Sequence, residues 1–114
     1  MDYEQTLSKV ARELRGFAAK EIHMNYEEGP EWAEDIGGGM FGQAYQEIYK
    51  KYFGERITPT IHEKILVAGR SVGYLMFSLY ESDTDIDDMV RIVTSFITSQ
   101  VTYTNEWCED FQGD

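Results

Sequence analysis

Thr58-Pro59-Thr60-Ile61-His62-Glu63-Lys64-Ile65-Leu66-Val67-Ala68-Gly69-Arg70-Ser71-Val72-Gly73-Tyr74-Leu75-Met76-Phe77-Ser78-Leu79-Tyr80 is the stretch that decides the fold. Thr58 reads as a helix N-cap with proline in the first turn, and Thr60 with Glu63 offers a competing capping box. Ile61, Ile65, Ala68, Val72, Leu75, Met76 and Leu79 then keep helical spacing to about Tyr80. Gly69 and Gly73 lie four apart, so a second helix can approach this one closely there. The alternative is mere tolerance of two glycines, at ~1 kcal/mol each relative to alanine.

The same period appears on either side. Tyr3, Leu7, Val10, Leu14 and Phe17, continued by Ile22, form one apolar stripe on a helix of about 20 residues. Lys9, Arg12, Glu13 and Lys20 fall off it. That helix is expected to end before Gly29-Pro30, because proline disfavours helical geometry in the residue before it. Pro30 can open a short turn carrying Trp32 and Ile36, after which Gly37-Gly38-Gly39 is expected to break the chain. A further helix is expected from about Met40 to Phe53, with Phe41, Tyr45, Ile48, Tyr49 and Tyr52 near one face and Gly54 as its stop. Its aromatic density points to wide contacts, with the core or with a partner.

After a turn over Ser82 to Asp88, Ile86, Met89, Val93, Phe96, Ile97 and Val101 continue as a last helix. From Thr94 to Thr104 β-branched residues dominate, and Val101-Thr102-Tyr103-Thr104 alternates as a strand would. Helix is the expectation, since one strand has no evident partner elsewhere, but a non-helical segment after Thr94 stays open. Residues 1–114 therefore read as a single all-α domain, an antiparallel bundle of about four helices.

Bulk properties narrow the function. A chain of 114 residues has room for one core, and 42% hydrophobic with 14% aromatic residues is globular composition. No apolar run approaches the ~20 residues that span a bilayer. The acidic start Met1-Asp2-Tyr3-Glu4 does not resemble a signal peptide. With Cys108 as the single cysteine there is no intrachain disulfide, which fits a reducing cytoplasm. The net charge of −11 disfavours direct binding to nucleic acid or to an anionic membrane and favours a basic partner.

The acidity is local. Glu27, Glu28, Glu31, Glu34 and Asp35 form one group; Glu81, Asp83, Asp85, Asp87 and Asp88 a second; Glu106, Glu109, Asp110 and Asp114 a third. These windows hold 14 of the 21 acids and none of the 10 bases, leaving 7 acids against 10 bases elsewhere. In an up-down-up-down bundle the first two groups share one end, with the third at the opposite end. Such a pole attracts Lys- and Arg-rich surfaces and speeds encounter with them. The competing explanation is local: acids at Asp83 to Asp88 precede or open a helix, where negative charge is favoured by ~0.3–1 kcal/mol per group. Trp32, inside the first group, is expected to act as an aromatic anchor for arginine. The expected partner-binding set is therefore Trp32 with the ten acids of the first two groups.

Catalytic and metal-binding patterns are incomplete. Gly37-Gly38-Gly39-Met40-Phe41-Gly42 matches the spacing of a dinucleotide-binding loop, but Glu34-Asp35-Ile36 before it is not a strand. Asp83-x-Asp85-x-Asp87 opens like a calcium-binding loop, yet position six is Asp88 instead of glycine and position twelve is Thr94 instead of glutamate. His62-Glu63 starts a zinc-protease motif whose second histidine is replaced by Leu66. Neighbouring acids would raise the pKa of Cys108, which argues against a nucleophile.

The expectation is thus a non-catalytic protein without metal or cofactor. It would neutralise a basic, nucleic-acid-processing protein, as phage-type anti-defence proteins, nuclease-toxin immunity proteins and nucleic-acid mimics do. The alternative is an oligomeric, homodimeric included, adaptor or secretion-chaperone-like protein that docks through apolar and aromatic surface.

Overall fold

Helix α1 runs over Tyr3–Asn25, short α2 over Pro30–Asp35, α3 over Phe41–Phe53, α4 over Pro59–Glu81 and α5 over Ile86–Thr104. The computed structural model describes residues 3–104, and no strand occurs among them. A 3₁₀ turn, Tyr26–Glu28, follows α1, and another, Gly54–Arg56, joins α3 to α4.

The capping choice at α4 falls to Thr58, whose hydroxyl accepts from the Ile61 amide at 3.3 Å. At Gly37 to Gly39 the helical path kinks between α2 and α3, as expected. It widens into a π-type turn, Ile36–Met40, in which Gly39 alone leaves helical geometry, at φ 120°. That conformation is open to glycine and strained for side-chain-bearing residues.

The four long helices alternate in direction. Phe17 meets Phe41 at 5.5 Å between ring centroids, while earlier in α1 Glu13 accepts from the Tyr52 hydroxyl at 2.7 Å, late in α3. Gln46 of α3 bonds His62 Nδ1 of α4 at 3.2 Å, and Arg15 of α1 donates to Thr98 of α5 at 3.1 Å. The most extensive pairings are α3 with α4 and α1 with α5; α4–α5 and α1–α3 contacts close the ring. The architecture is an up-down-up-down bundle, 46 × 22 × 19 Å.

The core is built from the stripes read in the sequence. Leu7, Val10, Leu14 and Ile22 of α1 are buried, joined by the small Ala11 and Ala18, while Phe17 is only half-buried. Phe41, Tyr45, Tyr49 and Phe53 form a ladder of rings along α3, with successive centroids 6.2, 5.4 and 6.1 Å apart. The aromatic face of α3 thus faces the core, where edge and offset ring contacts add to the area buried. Among the described residues no helix is long and apolar enough to cross a membrane.

Gly69 and Gly73 mark a close helix approach. A Cβ on Gly69 would lie 2.7 Å from Tyr45 Cβ and 2.9 Å from Gly42 Cα; one on Gly73 would lie 2.5 Å from the Ile36 carbonyl oxygen. Only glycine permits this spacing between α4, α3 and the π-type turn.

The threonine-rich end of the chain is helical to Thr104. Thr94, Thr98 and Thr102, spaced by four, donate their hydroxyls to the carbonyls of Val90, Thr94 and Thr98 at 2.7, 3.1 and 2.9 Å. Back-bonding of this kind satisfies the hydroxyls on the outer face. Val93, Ile97 and Val101 meanwhile fill the inner stripe. Packing decides against the intrinsic strand preference.

Candidate functional site

The bundle topology brings the first two acidic groups to one end. Tyr26, just past α1, donates its hydroxyl to the Thr84 carbonyl in the α4–α5 turn at 2.7 Å. The Tyr26 and Trp32 rings both pack edge-on against Tyr80, at 5.4 and 6.3 Å. Glu27, Glu28 and Glu31 therefore share an end of the molecule with Glu81, Asp83, Asp85, Asp87 and Asp88. Glu34 and Asp35 follow where the chain descends along α4, as Gly37 packs beside Phe77. All ten carboxylate residues are exposed. Glu106, Glu109, Asp110, Asp114, Trp107 and Cys108 lie outside the described residues.

Local helix electrostatics accounts for four of the ten. Asp85 caps α5, accepting from the Asp88 amide at 2.8 Å. Asp87 and Asp88 sit in the first turn of α5, and Glu31 sits in the first turn of α2. Negative charge is favoured at all four places. The other six are placed differently. Glu27 and Glu28 follow the C-terminal end of α1, Glu34 and Asp35 end α2, Glu81 ends α4, and Asp83 lies just beyond it. The dipole of α4 disfavours an anion at Glu81, whereas Glu27 and Glu28 also open the 3₁₀ turn that precedes α2, and Asp83 lies between the end of α4 and the Asp85 cap of α5.

Compensation by cations is slight. Among the described residues, only Asp88 of the ten has an ion-pair partner, Arg91 at 3.3 Å, and both groups are exposed. Bases gather at the other end, with Lys50 and Lys51 in the last turn of α3 and Arg56 in the turn after it. Acids stand among these bases, Glu47 and Glu63 included, and Lys51 pairs with Glu13 at 2.9 Å, so the acidic pole faces an end of mixed charge.

Asp83 is further set apart by its backbone. Its φ of 59° is the single positive value outside glycine among the described residues. Its amide donates to the Tyr80 carbonyl and the Thr84 amide to the Leu79 carbonyl, both at 3.1 Å. This pattern closes the end of α4 and usually carries glycine at the left-handed position.

One expected site residue is corrected. Trp32 is not a surface anchor: it is 5% exposed, and its indole N–H donates to Glu21 Oε1 at 3.2 Å. The π-type turn folds α2 back onto α4, which places the indole in the core beneath the acidic group. Tyr26 and Tyr80 are half-buried around it.

Hydrogen bonds from Lys51 first and Tyr52 second hold the Glu13 carboxyl below its ordinary range, and the same contacts raise Lys51 and Tyr52. Burial above all, with neighbouring Tyr49, pushes the Tyr45 hydroxyl far up, so that it stays protonated. Among the described residues no group of three or more His, Cys, Asp or Glu side chains is placed to hold a metal ion. A shallow groove of about 680 Å³, lined by Gln46, Lys50, Ile57 and His62, opens at the end away from the acidic pole. No family model matches the chain, and neither a curated protein nor a solved structure resembles it.

Proposed function

We propose that the acidic pole is the docking surface for a basic protein and that the chain acts as an inhibitor or neutralising protein. Its target would be a protein whose Lys- and Arg-rich surface ordinarily holds nucleic acid. The observation that carries this reading is the set of six exposed carboxylates without an ion-pair partner among the described residues: Glu27, Glu28, Glu34, Asp35, Glu81 and Asp83. They crowd like charge at one end of the fold and raise the repulsion there. A cationic partner relieves that repulsion, and carboxylates can there take the places of phosphates. Phage-type anti-defence proteins and nuclease-toxin immunity proteins are the two settings that share this chemistry.

The test separates binding from capping. Reversal of Glu27, Glu28, Glu81 and Asp83 to lysine spares Asp85, Asp87 and Asp88, which support α5. The variant is expected to retain its helicity by circular dichroism. It should also lose capture of the partner from host lysate, where the wild-type chain is expected to retain a basic nucleic-acid enzyme that elutes sharply as salt rises. Unchanged capture by the variant, or a partner held through high salt, would overturn the proposal.

A further inference from the structure

Helix periodicity sorts by face the mixed charge of the end opposite the acidic pole. On α3, Gln46 and Lys50 turn toward α4, while Glu47 lines the groove between α3 and α1 together with Glu13, Lys20 and Lys51. On α4, His62 turns toward α3, while Glu63 lines a groove on the α5 side with Lys64. A third groove, between α1 and α5, holds Glu4 beside Arg12 and Arg15. The groove between late α3 and the start of α4 differs from these three. Among the described residues it is lined by Lys50 and His62 and by no carboxylate. Its volume of about 680 Å³ lies within the span of small-ligand sites.

We propose that this groove binds a small organic anion, a carboxylate or phosphate group carried on a flat apolar body. Ile57 and Pro59 line it with apolar surface beside the polar groups of Gln46, Lys50 and His62. Gln46 Nε2 lies 3.2 Å from His62 Nδ1. With the Gln46 amide donating, Nδ1 accepts, the ring is held in place, and the Nε2 proton is left to donate to a guest. Lys50 makes no ion pair among the described residues, so its ammonium is open to an anion. The Thr58 hydroxyl is taken by the Ile61 amide, and Pro59 has no N–H to offer. Recognition of the anion therefore falls to the Lys50 and His62 side chains.

The net charge of −11 does not cancel this attraction. The bundle is 46 Å long, and the screening length at physiological salt is about 8 Å, so the carboxylates of the far pole are screened at the groove. The site is independent of the acidic pole, and failure of one leaves the other intact.

NMR titration of the isotope-labelled full chain with benzoate and with phenyl phosphate tests it, with benzamide as the uncharged control. Both anions are expected to give saturable shifts centred on Gln46, Lys50 and His62. Benzamide should bind more weakly by roughly tenfold or more, because it lacks the charge-assisted hydrogen bonds. Lys50→Gln keeps a polar stem on an exposed position and removes the charge; it should raise the Kd for both anions by roughly tenfold. His62→Phe keeps a ring and removes the donor, and should weaken both anions in the same direction. Shifts that do not saturate, that benzamide reproduces, or that Lys50→Gln leaves unchanged overturn the proposal. So do shifts spread equally over Lys9, Lys20 and Lys64, which would mark an adventitious ion only.

Discussion

The Tyr26 hydroxyl and the Thr84 carbonyl meet at 2.7 Å although 58 positions separate them in the chain. This bond ties the exit of α1 to the α4–α5 turn and holds two groups of carboxylates at one end. Tyr26→Phe keeps the ring contact with Tyr80 and removes only the bond. It should cost about 1 kcal/mol, seen as a melting temperature lower by a few degrees.

Asp83 occupies a left-handed position that suits glycine. Asp83→Gly should raise stability in denaturant titration by about 0.5–1 kcal/mol, since the strained φ becomes free of cost. The same change removes a carboxylate that we assign to target binding, so affinity should fall while stability rises. A loss of both would mean that Asp83 holds the turn through its side chain.

The glycines of α4 should tolerate no side chain. Gly73→Ala sets a methyl against the Ile36 carbonyl oxygen, and Gly69→Ala sets one against the Gly42 backbone. Each should destabilise by about 1–3 kcal/mol, because the opposing atoms are backbone and cannot step aside. Gly38→Ala is the control: a Cβ there meets nothing within 4 Å and should leave stability within about 0.5 kcal/mol.

Glu13, Lys51 and Tyr52 give stability a defined pH dependence. The folded state lowers the Glu13 pKa. Its contribution is therefore present above the unfolded glutamate value, about 4.3, and is lost as pH falls through the lower folded value. Lys51 and Tyr52 are raised by the same contacts. Their contribution is present below their unfolded values, about 10, and is lost as pH rises through the folded ones. Glu13→Gln should flatten both limbs in denaturant midpoints measured from pH 2.5 to 11 (an approximate range set by those values). The effect should be modest, because the cluster is largely exposed.

Much of the bundle was legible because its signals are local. Thr58-Pro59 announces α4, and the Gly69/Gly73 pair announces a close neighbour without naming it. The alanines of α1 were missed since Ala11 and Ala18 carry too little hydrophobicity to extend a stripe, yet close packing against α1 needs their size. The run from Thr94 stayed ambiguous because β-branching favours strands, and only the four-residue spacing of its hydroxyls pointed to back-bonding within a helix. At the acidic pole, the grouping of charge was legible and the burial of Trp32 was not. Its position depends on how Ile36–Met40 turns, a geometry set by Gly39 and by packing on Gly73. The Glu13–Lys51–Tyr52 cluster joins residues 38 and 39 positions apart and leaves no local trace.

The pairing of helices also orders their assembly. α3 and α4 are neighbours in sequence and form a hairpin with little loop to close, whereas α1 finds its main partner, α5, only after most of the chain has been made. The end that gathers ten carboxylates is therefore expected to close late, when α1 docks across α4 and α5. Mutual repulsion opposes that step more than any before it. Screening by salt should consequently speed refolding more than it slows unfolding, so that stopped-flow refolding over a salt series would show the acidic end acting as a brake on reaching the native state.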